Sequence, residues 1–370
     1  MSFNDILKNY ENFDIQKFFA SVRPSMIQKA IDSNNVSSDQ FLSLLSSSAE
    51  PFLEQMARRA HGLTCQYFGK IIQLYTPMYV SNFCENECVY CGFNRTNKIQ
   101  RKKLSFDEVD REAKFISKTG LKHILLLTGS SRTKSPVKYI KQCVEILKKY
   151  FSSISLEIYT LTQDEYREFV ACGVDGLTIY QEVYDKDVYG SVHLAGPKAD
   201  YLFRLDAPER ALAEKMRTVN IGVLLGLSNW QKESFLLGLH AQYLQNKFFD
   251  AEISISLPRL RPAQGDFKPK CIVQDKEIVQ MILAFRIFLP RLGVTLSTRE
   301  SSEFRENMLP LGITRMSAGS TTQVGGHTAI EDENNITAQF EISDKRDVGE
   351  MIEFLEKKGY QPVLKDWMAI

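Results

Sequence analysis

The chain has 370 residues, 44% of them hydrophobic and 25% charged, with a formal net charge of +1. A chain this long buries a large core, as two ordinary domains or as one barrel with extensions, and its charge balance gives no reason to expect nucleic acid or an anionic membrane as a partner. The opening MSFNDILKNYENFDIQ lacks the basic flank and apolar run of an export signal, no stretch reaches the ~18 uninterrupted apolar residues of a membrane helix, and seven cysteines, an odd number, suit a reducing cytoplasm, where clustered thiols bind metal more often than they pair.

Residues 1–70 read as a helical extension. SSDQFLSLLSS and PFLEQMARRAHGLTCQYFG carry apolar residues at helical spacing, with Pro51 suited to a first turn and Gly69 to an end. From residue 71 the pattern changes. IIQLYTPMYV is a strand. SFDEVDREAKFISKTG is a helix opened by a capping box, Ser105 to Glu108, and closed at Gly120. The strand HILLLT follows, then a helix with Ser135 as cap and Pro136 at its first position. SLEIY is the third strand, before a helix opened by Thr162 and Glu165. Five more strands are predicted at 176–180, 220–226, 251–257, 293–297 and 312–317, with helices at 274–289 and 302–309 among the intervals and a long loop within 180–220. Strands alternating with helices, and apolar on both faces, imply a parallel sheet covered on both sides. Eight such units predict an α/β fold of the (βα)8 TIM-barrel type over 71–320, with a C-terminal extension, 321–370, packed on it; an open doubly wound sheet is the alternative.

A barrel of this kind places its site at the C-terminal ends of its strands. Strand one leads into Cys84, Cys88 and Cys91. Thr128, Gly129 and Ser130 follow strand two, Glu157 sits near the end of strand three, and Gln181 and Glu182 follow strand four. Arg259 and Arg261 come after strand six, Arg299 and Glu300 after strand seven, and Ser317 and Ser320 at strand eight. Loops are polar in any protein, but that does not explain a carboxylate inside SLEIY or arginines spaced between apolar strands and prolines.

Three of the seven cysteines fall within eight residues. A structural zinc site normally takes two ligand pairs; CVYC offers one, and no second C-x2-C or H-x3-H exists. A four-iron cluster needs one ligand per iron, so three cysteines leave one iron open for binding and reaction, as a catalytic zinc keeps one position free.

C-x3-C-x2-C with an aromatic, Tyr90, before the last cysteine resembles the radical S-adenosylmethionine (SAM) superfamily, whose βα barrels carry the cysteine loop after the first strand. LYTPMYVSNFCENECVYCGFNRTNKIQRK, IYQEVYD, SLPRLRP, STRES, SAGSTTQVGG and KDW narrow the likeness, over about residues 50–368, to the 2-iminoacetate synthase family, the tyrosine lyases of thiamine thiazole biosynthesis. The resemblance implies that Cys84, Cys88 and Cys91 hold a 4Fe–4S cluster whose fourth iron is chelated by SAM. It implies that Tyr90 meets the adenine, the backbone of Thr128, Gly129 and Ser130 the methionine amine, Glu157 the ribose, and Arg204 the cofactor carboxylate. Ser130 stands where the family usually has an acid. Arg204 has a second reading, a surface ion pair with Asp206 or Glu209.

The implied reaction is reductive cleavage of SAM to methionine and a 5′-deoxyadenosyl radical, hydrogen abstraction from the amine of L-tyrosine, and scission of Cα–Cβ to p-cresol and 2-iminoacetate (dehydroglycine). A bidentate cation suits the tyrosine carboxylate. Arg299 is the first candidate, with Ser317 and Ser320 adding hydrogen bonds. Gln181 and Glu182 are candidates to contact substrate or ribose, and Glu182 is the candidate catalytic base. Implied partners are the thiazole synthase subunit and a one-electron donor such as flavodoxin or ferredoxin. KIQRKK (98–103) is a solvated face or a docking site for an acidic donor. The five histidines read as structural or surface groups, with His327 the one to test. The hydrogenase-maturation tyrosine lyase is the related alternative; it carries a second cysteine cluster near its C-terminus, and here no cysteine follows Cys271. A non-catalytic zinc or iron–sulfur scaffold is the other.

Overall fold

The computed structural model describes residues 2–329 and 337–365. Eight strands close into a parallel barrel. They are β1 (Ile71–Ser81), β2 (His123–Thr128), β3 (Ser153–Glu157), β4 (Gly176–Thr178), β5 (Thr218–Gly222), β6 (Glu252–Ser256), β7 (Gly293–Leu296) and β8 (Arg315–Ser317). Each strand pairs with the next, and β1 pairs with both β2 and β8. The predicted barrel is therefore present and the open sheet is not. Its strands are buried almost throughout, as in β5, where every residue is inside, because helices cover the outer face.

The helix signals act as their chemistry dictates. Ser105 Oγ accepts from the Glu108 N–H, while the Glu108 carboxylate accepts from the Ser105 N–H at 2.7 Å, opening the helix Phe106–Ser117. Thr162 and Glu165 repeat this at Gln163–Ala171. Several boundaries move: Pro136 is the cap residue, with an extended ψ of 160°, and the helix is Val137–Leu147; β4, β5 and β8 differ from the predicted 176–180, 220–226 and 312–317, and the expected loop within 180–220 holds the short helices Lys186–Val192, Tyr201–Leu205 and Ala207–Ala213.

The N-terminal extension is helical and shares the core. Phe41 stacks on Phe288 with ring centroids 4.3 Å apart, and Gln280 donates to the carbonyls of Leu44 and Ser46. No helix among the described residues is long and apolar enough to cross a membrane.

The C-terminal extension holds two elements without a counterpart in the predicted set. A helix, Val348–Lys357, leads into β9 (Gln361–Val363), which pairs with the first residues of β1. Ahead of them, residues 339–344 cross the barrel mouth. Gly92 N–H donates to Gln339 O, Gln339 N–H to Thr322 O, Glu341 N–H to Pro262 O, and Ser343 N–H to Thr298 O. One extended segment thus ties the loops after β1, β6, β7 and β8. A buried ion pair between Arg305 and Asp344 anchors it. In KDW, Asp366 and Trp367 lie outside the described residues.

Candidate active site

The loop after β1 is shaped by hydrogen bonds to its own backbone. The Arg101 guanidinium donates to the carbonyls of Asn82 (2.7 Å), Phe93 (2.9 Å) and Asn94 (2.6 Å). Asn97 donates to the carbonyls of Cys91, Gly92 and Gln264. With those carbonyls held away, Cys84, Cys88 and Cys91 all line one cavity. Gly92 permits the close approach of the crossing segment, since a Cβ there would lie 2.6 Å from Gln339 O. A Cβ on Gly129 would likewise collide with Phe83 O.

Burial pushes the Cys88 thiol up to about 12, and the neighbouring cysteines add to the shift; burial also raises Cys91. Bare thiolates are thus disfavoured here unless positive charge replaces the protons, which iron supplies. Among the described residues no three His, Cys, Asp or Glu side chains are arranged to hold a single metal ion. Three thiols around a shared volume fit a many-atom cluster better than one zinc.

The same cavity is lined by Tyr90, Thr128, Gly129, Ser130, Glu157 and Arg204. Thr128 Oγ1 is buried there without a partner. The backbone of this loop is partly engaged: Gly129 N–H donates to Ser81 O and Ser130 O accepts from Glu85 N–H. Tyr90 OH is 2.7 Å from His193 Nε2, and His193 Nδ1 is 3.0 Å from Tyr189 O. Burial, then Lys198 and Arg204, pushes His193 down to about 2, so a neutral ring accepts from the phenol and donates to the carbonyl.

Arg204 is buried. It donates to Tyr180 O at 2.7 Å and lies 3.8 Å from Glu182. Its surface reading is corrected, because Glu209 pairs with Lys247 and Tyr243 instead. Glu182, at φ +72°, faces this outer cavity with its carboxylate 2.6 Å from Lys198 Nζ. Gln181 does not enter it: its amide is buried on another side with no partner among the described residues.

A second, inner cavity is lined by residues of the barrel strands themselves. Tyr79, Glu157, Tyr180, Arg299 and Phe340 line both cavities, so the two are adjacent and share a wall. The Glu157 carboxyl is pushed up to about 7, first by burial and then by Glu182. The Arg299 guanidinium stacks on the Phe340 ring, 3.4 Å from its centroid, and among the described residues it donates one long hydrogen bond, to Arg259 O at 3.5 Å, leaving donors for a ligand. Ser317 and Ser320 line the inner cavity. Ser317 Oγ accepts from Thr298 N–H at 2.9 Å, whereas Ser320 Oγ and Thr295 Oγ1 are buried without partners.

Arg259 is structural, paired to Glu300 and Asp275, while Arg261 lines the outer cavity. In the 98–103 run, Arg101 is the loop clamp and Lys102 pairs with Glu108 at 3.4 Å. His327 caps Pro77 O at 2.9 Å and lines neither cavity. Lys198, Gln339 and Phe340 were not among the sequence candidates. They lie in irregular segments with no periodic signal, although Gly196-Pro197 before Lys198 marks a turn.

Comparisons with known proteins agree with this geometry. Residues 78–237 match the radical SAM superfamily model, and residues 256–361 match the biotin and thiamin synthesis associated domain. The chain is 36% identical to the 2-iminoacetate synthases of Salmonella typhimurium and Escherichia coli, over 99% of its own length and 97% of theirs. Its structure is similar to that of the FeFe-hydrogenase maturase HydG from Carboxydothermus hydrogenoformans, with a TM-score of 0.85 at 29% identity, covering 98% of this chain and 82% of that one.

Proposed function

The chain belongs to the 2-iminoacetate synthase family of the radical SAM superfamily, and on that premise we propose how its residues divide the work. It is a carbon–carbon lyase of thiamine biosynthesis that cleaves L-tyrosine between Cα and Cβ, giving 2-iminoacetate and p-cresol. The observation that carries the reading is the adjacency of the two cavities across a shared wall: three thiols line one, and the Arg299 guanidinium lies on the wall between it and the other.

The outer cavity is the cofactor chamber. Cys84, Cys88 and Cys91 hold the 4Fe–4S cluster. Lys198 and Arg204 meet the carboxylate of SAM, with Glu182 between them keeping both in place. Tyr90, fixed by His193, walls the adenine. Glu157 accepts from the ribose hydroxyls, and Thr128 Oγ1 offers a free polar contact. When bound, cluster and SAM together supply the one-electron cleavage that removes a hydrogen atom from the substrate amine.

The inner cavity is the tyrosine chamber. Arg299, flat against Phe340, presents its fork to the carboxylate. Ser317 and Ser320 complete that contact. Thr295, within β7, lies deeper than Arg299 in the loop beyond it and offers its buried hydroxyl to the phenol. Tyr79, Tyr180 and Leu127 exclude water from the space between. We assign the product to direct hand-over to a thiazole synthase subunit, because free 2-iminoacetate hydrolyses, and the electron to a donor such as flavodoxin or ferredoxin.

Anaerobic incubation of the reconstituted protein with SAM, a one-electron reductant and tyrosine tests this. The expected products are 5′-deoxyadenosine, methionine, p-cresol and glyoxylate. Formation of 5′-deoxyadenosine without p-cresol would remove the tyrosine-lyase reading and leave the superfamily standing.

A further inference from the structure

Gln339 lies next to Phe340 on the segment that crosses the mouth, and its amide is held at both ends. Tyr79 OH donates to Gln339 Oε1 at 2.7 Å, and Gln339 Nε2 is 3.6 Å from Cys91 Sγ. The backbone of the same residue is fixed between Gly92 and Thr322. The orientation of the amide follows from chemistry. A cysteine sulfur bound to iron has no proton to give, so only the NH2 end of the amide can face it. Burial holds the Tyr79 phenol well above its ordinary pKa, which keeps it a donor toward the amide oxygen.

We propose that Gln339 is a positioning residue that sets the reduction potential of the cluster through a hydrogen bond to Cys91 Sγ, with Tyr79 orienting the amide. This rests on the assignment of the cluster to Cys84, Cys88 and Cys91. The potential of an iron–sulfur cluster depends on hydrogen bonds to its sulfurs and on its exposure. A donor at Cys91 stabilises the extra negative charge of the reduced state more than the oxidised one, so it eases reduction. The donor comes from the segment that also backs Arg299 through Phe340. One short stretch therefore serves the cluster on one side and the substrate arginine on the other.

The test is a potentiometric titration of the reconstituted cluster, followed by its visible absorbance and by electron paramagnetic resonance, in wild type, Gln339→Met, Gln339→Leu and Tyr79→Phe. Both Gln339 variants should bind iron as wild type does. At a fixed potential each should show an about tenfold lower ratio of reduced to oxidised cluster, equal to about 59 mV for one electron. Tyr79→Phe, which keeps the amide but frees its orientation, should shift the same way by less. Full iron content with an unchanged potential in Gln339→Met would overturn the proposal while leaving the cluster assignment intact. If both Gln339 variants lose iron, Tyr79→Phe decides, and an unmoved potential there overturns it. A wild-type protein that binds no iron would remove the cluster reading itself.

Discussion

The outer and inner cavities are built in different ways. The outer one is a backbone structure. Within twenty residues, Arg101 and Asn97 engage the carbonyls of Asn82, Cys91, Gly92, Phe93 and Asn94, and the backbone of the cysteine loop bonds further to Ser130, Val192, Ala195 and Gln339. The inner one is a side-chain structure. Its polar groups are side chains: Ser256 from β6, Thr295, Ser297, Thr298, Arg299 and Glu300 from β7 and its loop, and Ser317 and Ser320 from β8 and beyond, and the hydroxyls of Thr295 and Ser320 have no partner among the described residues. A loop held by many backbone bonds tolerates little change in its path, whereas a wall of side chains can be altered by point substitution.

The sharpest way to break that division is to show that one chamber depends on the other. Replacing Cys84, Cys88 or Cys91 with Ala should abolish iron binding and all product formation. Replacing Cys65, Cys143, Cys172 or Cys271 should leave iron at the wild-type level. Tyrosine-derived product from Cys88→Ala would dissolve the distinction. Next comes Arg299→Lys, which keeps the charge but loses the bidentate fork. Tyrosine affinity should fall by about 2–5 kcal/mol, and iron content and SAM binding should not move. Loss of iron in this variant would show the chambers to be one structure.

Glu157, on the wall they share, gives a pH test of the cofactor-free protein. Burial, reinforced by Glu182 and opposed by Arg299, Lys198 and Arg204, raises its folded-state value to about 7 from the ordinary 4.5. A carboxyl raised on folding contributes stability that is complete below its ordinary value and is lost as pH climbs toward 7, up to about 3 kcal/mol. Denaturant midpoints should therefore decline as pH rises from 5 to 8, and Glu157→Gln should remove about half of that decline. Part should persist, because burial also raises Glu233 to about 7. An identical slope in the variant would place Glu157 outside the shared wall. The smallest expected effect is at Thr295→Val, which preserves shape and removes one hydroxyl. It should weaken tyrosine binding by about 1 kcal/mol and leave phenylalanine binding unchanged; equal losses for both ligands would deny the phenol contact.

The same contrast explains what could be read from the amino-acid order. The outer chamber is largely legible because its ligands lie within eight residues and its strand and capping signals are local. Lys198 is not, because it enters from an irregular segment and meets Glu182 only through the folded loop. Gln181 and Glu182 show a finer limit. Both follow β4, but β4 ends at Thr178, and the path beyond it turns Glu182 into the cavity and Gln181 away. One residue of phase decides this, and nothing in the local composition marks it. The crossing segment and β9 are illegible for another reason: their partners are β1 and the loops of four strands, all distant along the chain.

That distance orders events on the ribosome. Cys91 and Gln339 are 248 residues apart, so the cysteine loop emerges long before the segment that packs beside it. Until that segment arrives, Cys91 lacks the Gln339 amide as a neighbour. Only when residues 339–344 come off the tunnel are the loops after β1, β6, β7 and β8 laced together. Lacing of the barrel mouth is thereby a late act of translation, and a chain halted before residue 337 would carry a barrel and its three cysteines with no segment across them.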